Sequence, residues 1–522
     1  MSASPTPSRV DVTETGLRRA LIVAGVMAAA LMQTLDSTIT NVALPTIQGN
    51  LGATQEEGTW VVTGYTIAAL VVIPLTPWLQ NRFGRKNYFV ASIAGFTIAS
   101  VVCGSASSLG VLVVARIVQG AFGGGLLATA QSILRDTFPP EQLGLSQGIF
   151  ALGAIMGPAL GPPLGGILVD NYSWNWVFDI NIGPGIFSAI VLGLMLRDPE
   201  PGRAGQVDFV GLLLLAAGIG SMQYVLTEGE PHYWLADPAV LILTVVMVIS
   251  LCSFVYWELF RTQTPIVDLR ILRNRSVAAG SILGLSLGTV VFGTTYILPQ
   301  FTQGPLGFTP SLSGFLFILR ALPIMFMTPL IVRFAGRFDP RLVLGSGFVL
   351  VSFGSWLQAL VTNPQANFWS FAPALITTGI GSALLFIPLS IAVLGATTPQ
   401  EGPKAAAFIN LSLQLGGSIS VAALDVIIDR RWSFHSSVLG ANANLQAPAV
   451  ALFLQHGGTT GELARLVNAQ AAILAYADAT MVIALVCLLC TPLVLFMRRR
   501  RAIAAPGSAP AARSGAEAAV HA

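Results

Sequence analysis

Two ionisable side chains lie deep within long apolar stretches of this chain. Asp36 belongs to the stretch 17–43, and Arg116 belongs to the stretch 109–134. A charged group in such surroundings is costly, so it usually has a partner or a function. Burial favours the protonated form of a carboxylic acid, whereas a neighbouring arginine favours the ionised form. A change in the distance between the two groups would therefore make Asp36 release or take up a proton.

Asp36 and Arg116 also lie at matching depths. Their stretches run in opposite directions, and each residue is about seven positions from the same end of the helix bundle. At ~1.5 Å per helical residue, both lie roughly 10 Å from that surface. They can therefore pair or share a water cluster. The alternative is a static ion pair that holds two helices together; we favour proton exchange because burying the charge is costly.

Glycine recurs at every fourth position in the stretch 143–169. Residues four apart lie on one helix face, and small residues there allow two helix backbones to approach closely. Proline removes a backbone donor and permits bending. The pattern predicts a tight, bendable helix contact that opens and closes, with ordinary close packing as the alternative. The residues concerned are Gly153, Gly157, Pro158, Gly161, Pro162, Pro163, Gly165 and Gly166.

Other polar and aromatic residues in the apolar stretches are candidates for lining an internal cavity, although each would also serve in packing. Arg320 is the most deeply placed of the charged ones, whereas Asp425 lies near the predicted outer end of the stretch 403–428. For Asp425 an interfacial position is as reasonable as a coupling role. The cavity candidates are Gln33, Tyr65, Tyr296, Phe317, Arg320, Asn410 and Gln414.

These residues must be positioned by membrane-spanning helices. Fourteen stretches each provide the ~20 apolar residues that a helix needs to cross ~30 Å of hydrocarbon. The 522 residues are 54% hydrophobic and 10% charged, whereas about a quarter of a soluble domain is charged. The composition predicts an all-α polytopic membrane protein. The stretches are 17–43, 57–79, 88–107, 109–134, 143–169, 175–196, 208–227, 237–260, 276–300, 311–333, 341–361, 370–395, 403–428 and 473–497.

Positive charge is concentrated in the tails and in every second loop. Most of the 27 lysines and arginines fall there. This asymmetry predicts that both termini are cytoplasmic. One such loop carries Arg82, Gly84, Arg85 and Lys86. The charge asymmetry alone is a sufficient explanation for this loop, and the alternative is a cytoplasmic latch between helices.

A spacing of residues that occurs twice in the chain indicates a duplicated unit. The segments 74–86 and 329–341 share a proline, an Arg-Phe pair eight positions later and a basic last residue. Duplicated halves around a site at the midplane are typical of transporters. We therefore predict six helices, two inserted helices and six more. The divisions are a disordered cytoplasmic tail 1–16, a bundle 17–200, an inserted pair 201–262, a second bundle 263–497 and a cytoplasmic tail 498–522.

The only long outer loop predicted is 429–472, where we expect a partly ordered hairpin or short helix. No other pattern indicates a catalytic or cofactor site. The four histidines fall outside the apolar stretches, without metal-ligand spacing, and no Walker-type phosphate loop indicates ATP. A net charge of +3 is too small to indicate nucleic acid. We expect no metal, no cofactor and no enzymatic activity.

Taken in order, these motifs resemble the major facilitator superfamily, specifically its 14-helix drug:proton antiporters of the EmrB/QacA type (DHA2). The resemblance covers nearly the whole chain. The matching residues are the segment 35–45 around Asp36, Arg116 with Gln119 and Gly120, the face from Gly153 to Gly166, the loop 77–86, Trp174, Trp176, Phe178 and Asn181, and Arg320 with 336–341.

The chain departs from that family at three positions. Pro77 and Asn81 stand where the loop motif usually has glycine and aspartate, and Asn175 stands where arginine is common. The missing aspartate implies a weaker cytoplasmic latch. Asp425 matches no family position.

The resemblance implies efflux of amphipathic small organic compounds, driven by the proton motive force through alternating access in a bacterial inner membrane. Asp36 would couple transport to protons, and Arg116 would assist the proton transfer. A periplasmic adaptor and an outer-membrane channel would be partners in a cell with two membranes. An exporter of a specific metabolite, fatty acid or siderophore remains an alternative. An uptake symporter, a membrane receptor or scaffold, and an ion channel are less favoured.

Overall fold

The structure is a computed structural model that describes residues 16–197, 208–230, 233–262, 265–334, 338–398, 401–443, 448–456 and 458–496. The predicted tails, 1–16 and 498–522, lie outside these ranges except for Gly16, the first helical residue. So do Arg337 of the repeated loop and the first residues of the predicted inserted pair, 201–207.

The described part of the chain is helical and contains no strand. Its helices are α1 (Gly16–Leu51), α2 (Gln55–Phe83), α3 (Arg85–Gly104), α4 (Leu109–Gly123), α5 (Leu126–Thr137), α6 (Leu143–Asn171), α7 (Trp176–Asp179), α8 (Ile182–Met195), α9 (Phe209–Glu228), α10 (Pro238–Phe260), α11 (Arg275–Gly288), α12 (Thr294–Gln303), α13 (Pro310–Phe334), α14 (Pro340–Val361), α15 (Ala372–Leu394), α16 (Gly402–Asn442), α17 (Pro448–Gln455) and α18 (Thr460–Cys490).

Fourteen helical spans in the described residues are long and apolar enough to cross a membrane, which confirms the predicted number. Three spans are built from two helices each. The helices α4 and α5 join at Gly124 and Gly125, and α7 and α8 join near Asn181. The third pair, α11 and α12, joins through a π-helical turn at Thr289–Gly293. Glycine is unfavourable inside a helix, which explains the first break.

The segment 429–472, for which the sequence predicts a long outer loop with a partly ordered hairpin or short helix, is mostly helical in the structure. Helix α16 continues to Asn442, and α18 already begins at Thr460, with the short helix α17 between them. At ~1.5 Å per residue, α16 is about twice as long as the hydrocarbon layer is thick. Asp425 therefore lies inside a continuous helix and not near its end.

The extended hairpin of α16 and α18 is held together by polar contacts. Arg431 Nε donates to Asp478 Oδ2 at 2.5 Å, and His435 Nε2 lies 2.8 Å from the same oxygen. A capping box of Thr459 and Glu462 starts α18, because each side chain bonds the other residue's backbone N–H. These local signals explain why helix continues where a loop was expected.

The helices pack as two groups joined along one main contact. In the first half, α1–α8, α1 packs against α6 and α8, while α4 packs against α2 and α3. In the second half, α11–α18, α15 packs against α13 and α14, while α16 packs against α11 and α18. Helices α9 and α10 pack on each other, and α9 reaches both α2 and α16. The halves meet mainly where α6 lies along α13.

Candidate functional site

The two candidate coupling residues form a buried ion pair. Arg116 of α4 donates from Nη1 to Oδ2 of Asp36 on α1 at 2.6 Å. Asp36 is 0% exposed and Arg116 is 1% exposed. The helices α1 and α4 run in opposite directions, which brings two residues far apart in sequence to one depth. The structure thus pairs the residues that the sequence placed at matching depth.

Amide and hydroxyl groups complete the partners of this pair. Asp36 Oδ1 accepts from Gln119 Nε2 at 2.9 Å and from Asn181 Nδ2 at 2.8 Å. Gln119 Oε1 accepts from Arg116 Nη1 at 2.7 Å, and Gln119 Nε2 also reaches Ser100 Oγ at 2.7 Å. Both carboxylate oxygens are therefore bonded, and all five side chains belong to the first half. Such a network is electrostatically strong because all five residues are buried.

Aromatic side chains cover the guanidinium of Arg116. Its central carbon lies 4.2 Å from the ring centre of Tyr65 and 5.7 Å from that of Phe178. An added β-carbon at Gly120 would overlap the backbone of Tyr65, so this glycine lets α4 approach α2 at the site. The aromatic cover stabilises the cation and keeps the pair dry.

Gln33 and Tyr65 belong to this buried site and not to the cavity for which they were predicted. Gln33 Nε2 donates to the Tyr65 hydroxyl at 3.2 Å, and the two side chains are 2% and 4% exposed. Sequence reasoning also missed Ser100, which carried no signal. Gln119 and Asn181 were marked only by the family resemblance.

The glycine face of α6 lies directly on α1, the helix that carries Asp36. A β-carbon at Gly157 would overlap the Thr34 hydroxyl, and one at Gly161 would overlap the Thr38 hydroxyl. Along the same face, Gly153 meets Met27, Gly165 meets Ile39, and Gly166 is buried. Close approach of the two backbones therefore depends on the missing side chains, as the spacing predicted.

A small cavity lies between the halves, where Pro158 of the first half faces residues of the second. Its wall includes Pro158 of α6, which follows a glycine of the α1 contact. Of the predicted cavity residues, Phe317 and Arg320 line it. The remaining wall is largely apolar, with Leu287, Val291 and Phe386 among its members.

The other predicted cavity residues lie elsewhere. The Tyr296 hydroxyl donates to Asp425 Oδ1 at 2.5 Å, so these two side chains are hydrogen-bond partners. Asn410 is buried among polar partners, and Gln414 is half-buried on α16. Because apolar residues surround every face of a membrane helix, sequence did not show which face meets the cavity.

Polar side chains join the two halves at the end of the bundle where Arg85, Arg135 and Lys404 lie, here called the basic end. Asn410 Nδ2 donates to Gln131 Oε1 at 3.0 Å. Gln131 Nε2 donates to Gln147 Oε1 at 3.1 Å and to Ser390 Oγ at 3.3 Å. Gln131, Gln147, Ser390 and Asn410 are called the polar gate. These bonds close the basic end between α5 and α6 of one half and α15 and α16 of the other.

The basic loop between α2 and α3 pairs with an acidic residue of α5, whereas the family pattern has its aspartate in the loop motif itself. Arg85 forms an ion pair with Asp136 of α5. Asn81, at the position where aspartate is usual, is exposed. Arg82 is exposed in the last turn of α2 and Lys86 is half-buried at the start of α3. The loop therefore ties α3 to α5 inside the first half.

Gly84 makes the sharp turn of this loop. Its φ of 84° lies in the left-handed region, which residues with a β-carbon rarely adopt. The glycine of the loop motif thus has a conformational reason, independent of charge.

Comparison with known proteins agrees with this architecture. The family model described as Major Facilitator Superfamily matches residues 26–421. The chain is 34% identical to the multidrug export protein EmrB of Escherichia coli K12, over 85% of this chain and 87% of that protein. It is 35% identical to the fatty acid resistance protein FarB of Neisseria gonorrhoeae, over 84% of this chain and 87% of that protein.

Solved structures show the same fold at low sequence identity. A bacterial homologue of the human lysosomal transporter Spinster superposes with a TM-score of 0.57 at 17% identity, covering 93% of this chain and 99% of that one. With fourteen apolar helices and these relatives, the protein is a multi-pass protein of the bacterial inner membrane. The predicted family is confirmed: the chain belongs to the major facilitator superfamily and, within it, to the EmrB-type transporters.

Proposed function

We propose that this protein exports amphipathic small organic compounds in exchange for protons, with Asp36 as the carboxylate that carries the proton. The observation that carries the proposal is the Asp36–Arg116 ion pair, fully buried among membrane helices. A buried ion pair is weak evidence for stability alone. Ionisable groups at membrane depth are more often parts of ion pathways.

The proton would move when the two helices shift. In the structure, the carboxylate of Asp36 has the guanidinium of Arg116 at 2.6 Å. If α1 moves away from α4, the carboxylate loses its cationic partner in a dry environment, and the protonated form becomes favoured. The tight contact between Gly157 and Thr34 gives α6 a direct mechanical link to α1. A movement of the two halves about α6 would therefore also shift α1 at Asp36.

Alternating access requires one end to open while the other closes. The bonds of the polar gate support a state closed at the basic end, which the charge pattern predicts to be cytoplasmic. Breaking them would let the cavity open to the cytoplasm to receive a compound. Once these bonds have formed again, the compound could be released only on the outer side.

The cargo is proposed from the relatives and the cavity together. The names of two relatives refer to multidrug export and to fatty acid resistance. Both fit a largely apolar cavity with a polar group in its wall. A periplasmic adaptor and an outer-membrane channel remain proposed partners, to be tested by copurification.

The test is compound-driven proton efflux from inside-out membrane vesicles that have been acidified by respiration. The probes are pyrenesulfonate, pyrenesulfonamide and pyrenylmethyl-trimethylammonium, together with ethidium, added outside. An exporter exchanging compound for protons should dissipate the pH gradient when at least one probe is added. An uptake symporter should not respond, because it would need the compound inside the vesicle.

Asp36→Asn should abolish this response while the protein still inserts in the membrane. Glu141→Gln is the matched control, because Glu141 is exposed. It should leave the response unchanged. A response of wild-type size in the Asp36→Asn vesicles would remove Asp36 from its assigned role, and no response to any probe in wild-type vesicles would contradict antiport itself.

A further inference from the structure

Two arginines are buried inside the membrane helices with contrasting partners. Arg116 has a carboxylate at 2.6 Å, whereas Arg320 of α13 has none within salt-bridge distance among the residues described. Arg320 is only 8% exposed. Removing a guanidinium from water without a counter-charge is strongly unfavourable. An anion that arrives from outside the protein would supply the missing charge.

The protein groups around Arg320 are neutral and only partly satisfy it. Its Nη1 donates to the Thr294 hydroxyl, and its Nη2 donates to Val290 O at 3.4 Å and to Ser382 Oγ at 3.5 Å. A guanidinium carries five N–H groups. Three contacts leave two N–H groups without a protein acceptor in the described part of the chain, and the residue lines the cavity.

The hydroxyls near Arg320 are oriented as acceptors. Thr294 Oγ1 donates its own hydrogen to Val290 O at 2.5 Å, and Ser382 Oγ donates to Thr378 O at 2.7 Å. Each hydroxyl therefore turns a lone pair toward the guanidinium. These contacts hold the side chain in place but add no negative charge.

The backbone around Arg320 is also specialised. The π-helical turn at Thr289–Gly293 lies on the cavity wall and includes Val290, whose carbonyl oxygen faces Arg320. Such turns are rare and frequently occur at functional sites. On the other side, a β-carbon at Gly379 would overlap the carbonyl oxygen of Arg320, so α15 approaches α13 closely there. The backbone that carries Arg320 is therefore tightly packed, while the three hydrogen bonds hold its guanidinium.

We infer that the cavity between the halves binds amphipathic organic anions, whose acidic head pairs with Arg320 and whose apolar body contacts Leu287, Val291, Phe317 and Phe386. This inference rests on the proposed function of export and names its cargo class. A cation with the same apolar body would meet the positive charge of Arg320 with no carboxylate to offset it. A neutral analogue would leave the guanidinium unpaired.

The experiment measures equilibrium binding to purified protein in lipid nanodiscs, without any gradient. The ligands are pyrenesulfonate, pyrenesulfonamide and pyrenylmethyl-trimethylammonium, which share one ring system and differ in head charge. A hydrogen bond to a charged group contributes enough for about a tenfold difference in Kd. The wild-type protein should bind the sulfonate at least about tenfold more tightly than the sulfonamide, and the ammonium compound most weakly.

Arg320→Gln should reduce the preference for the sulfonate over the sulfonamide to about twofold or less, with little change in sulfonamide binding. Arg320→Lys should keep part of the preference, because it retains the charge without the planar fork. Arg465→Gln, at an exposed arginine of α18, is the control and should keep all of it. Unchanged sulfonamide binding shows that a variant is folded.

Two results would overturn the inference: equal or tighter binding of the ammonium compound by wild type, or an intact sulfonate preference in Arg320→Gln. If Arg320→Gln does not fold, the wild-type ranking and Arg320→Lys decide alone. Binding needs no proton gradient. The anion preference can therefore hold when antiport fails in vesicles, and antiport can succeed when the anion preference is absent. The two proposals are therefore tested separately.

Discussion

Arg116 Nη1 lies 2.6 Å from Asp36 Oδ2, although the two residues are 80 positions apart in the chain. Neither side chain reaches solvent, and the pair is shared between two helices of the same half. The proposed coupling group and the proposed cargo cavity are thus separate places in the molecule. A helix movement must connect them, and α6, which packs on both α1 and α13, is the element in position to do so.

The ion pair predicts a strong non-additivity of mutations. Asp36→Asn and Arg116→Gln should each lower the free energy of unfolding by about 3–5 kcal/mol, because each leaves a buried charge or dipole without its partner. The double variant should lose less than the sum, with a coupling of about 1–3 kcal/mol. Unfolding in a denaturing detergent, followed by tryptophan fluorescence, measures all three. Strict additivity would show that the two groups do not interact energetically.

The close contact of α6 with α1 predicts a position-specific effect of adding one methyl group. Gly157→Ala should lower stability by about 1–3 kcal/mol and slow transport, because Thr34 and the backbone of Leu35 leave no room. Gly193→Ala, in α8, is the matched control, since nothing lies within 4 Å of its added carbon. It should be neutral or stabilise by up to about 1 kcal/mol through helix propensity. Equal effects of the two changes would mean that the glycine face has no packing role.

The polar gate predicts a shift in conformational populations. Asn410→Ala removes the bond to Gln131 and should favour opening at the basic end by about 1 kcal/mol, or roughly fivefold in population. Spin labels at Glu141 and Arg270, exposed residues on opposite halves, report the opening as a longer distance in pulsed electron resonance. Asn50→Ala is the control, since Asn50 is exposed and donates to Thr46 O of its own helix. An unchanged distance distribution in Asn410→Ala would show that the gate does not hold the halves together.

Much of this molecule follows from local properties of the chain. Apolarity over ~20 residues is a property of one segment, so the fourteen spans could be counted without knowing how they pack. Charge at depth is local too, which is why Asp36 and Arg116 were found as candidates. The glycine repeat of α6 could be identified for the same reason, since a period of four defines a face on any helix.

Tertiary structure decided which way each helix faces and what meets it there. Membrane helices are apolar on nearly all sides, so periodicity did not distinguish Tyr65, which covers Arg116, and Gln33, which bonds Tyr65, from the cavity-lining Phe317 and Arg320. Likewise, Ser100 and Gln131 became visible as partners only when α3 and α5 were placed beside other helices. Local sequence determined that charges lie within apolar stretches. The rotation and contact of whole helices determined that Arg116 has a carboxylate partner, whereas Arg320 has none among the residues that the structure describes.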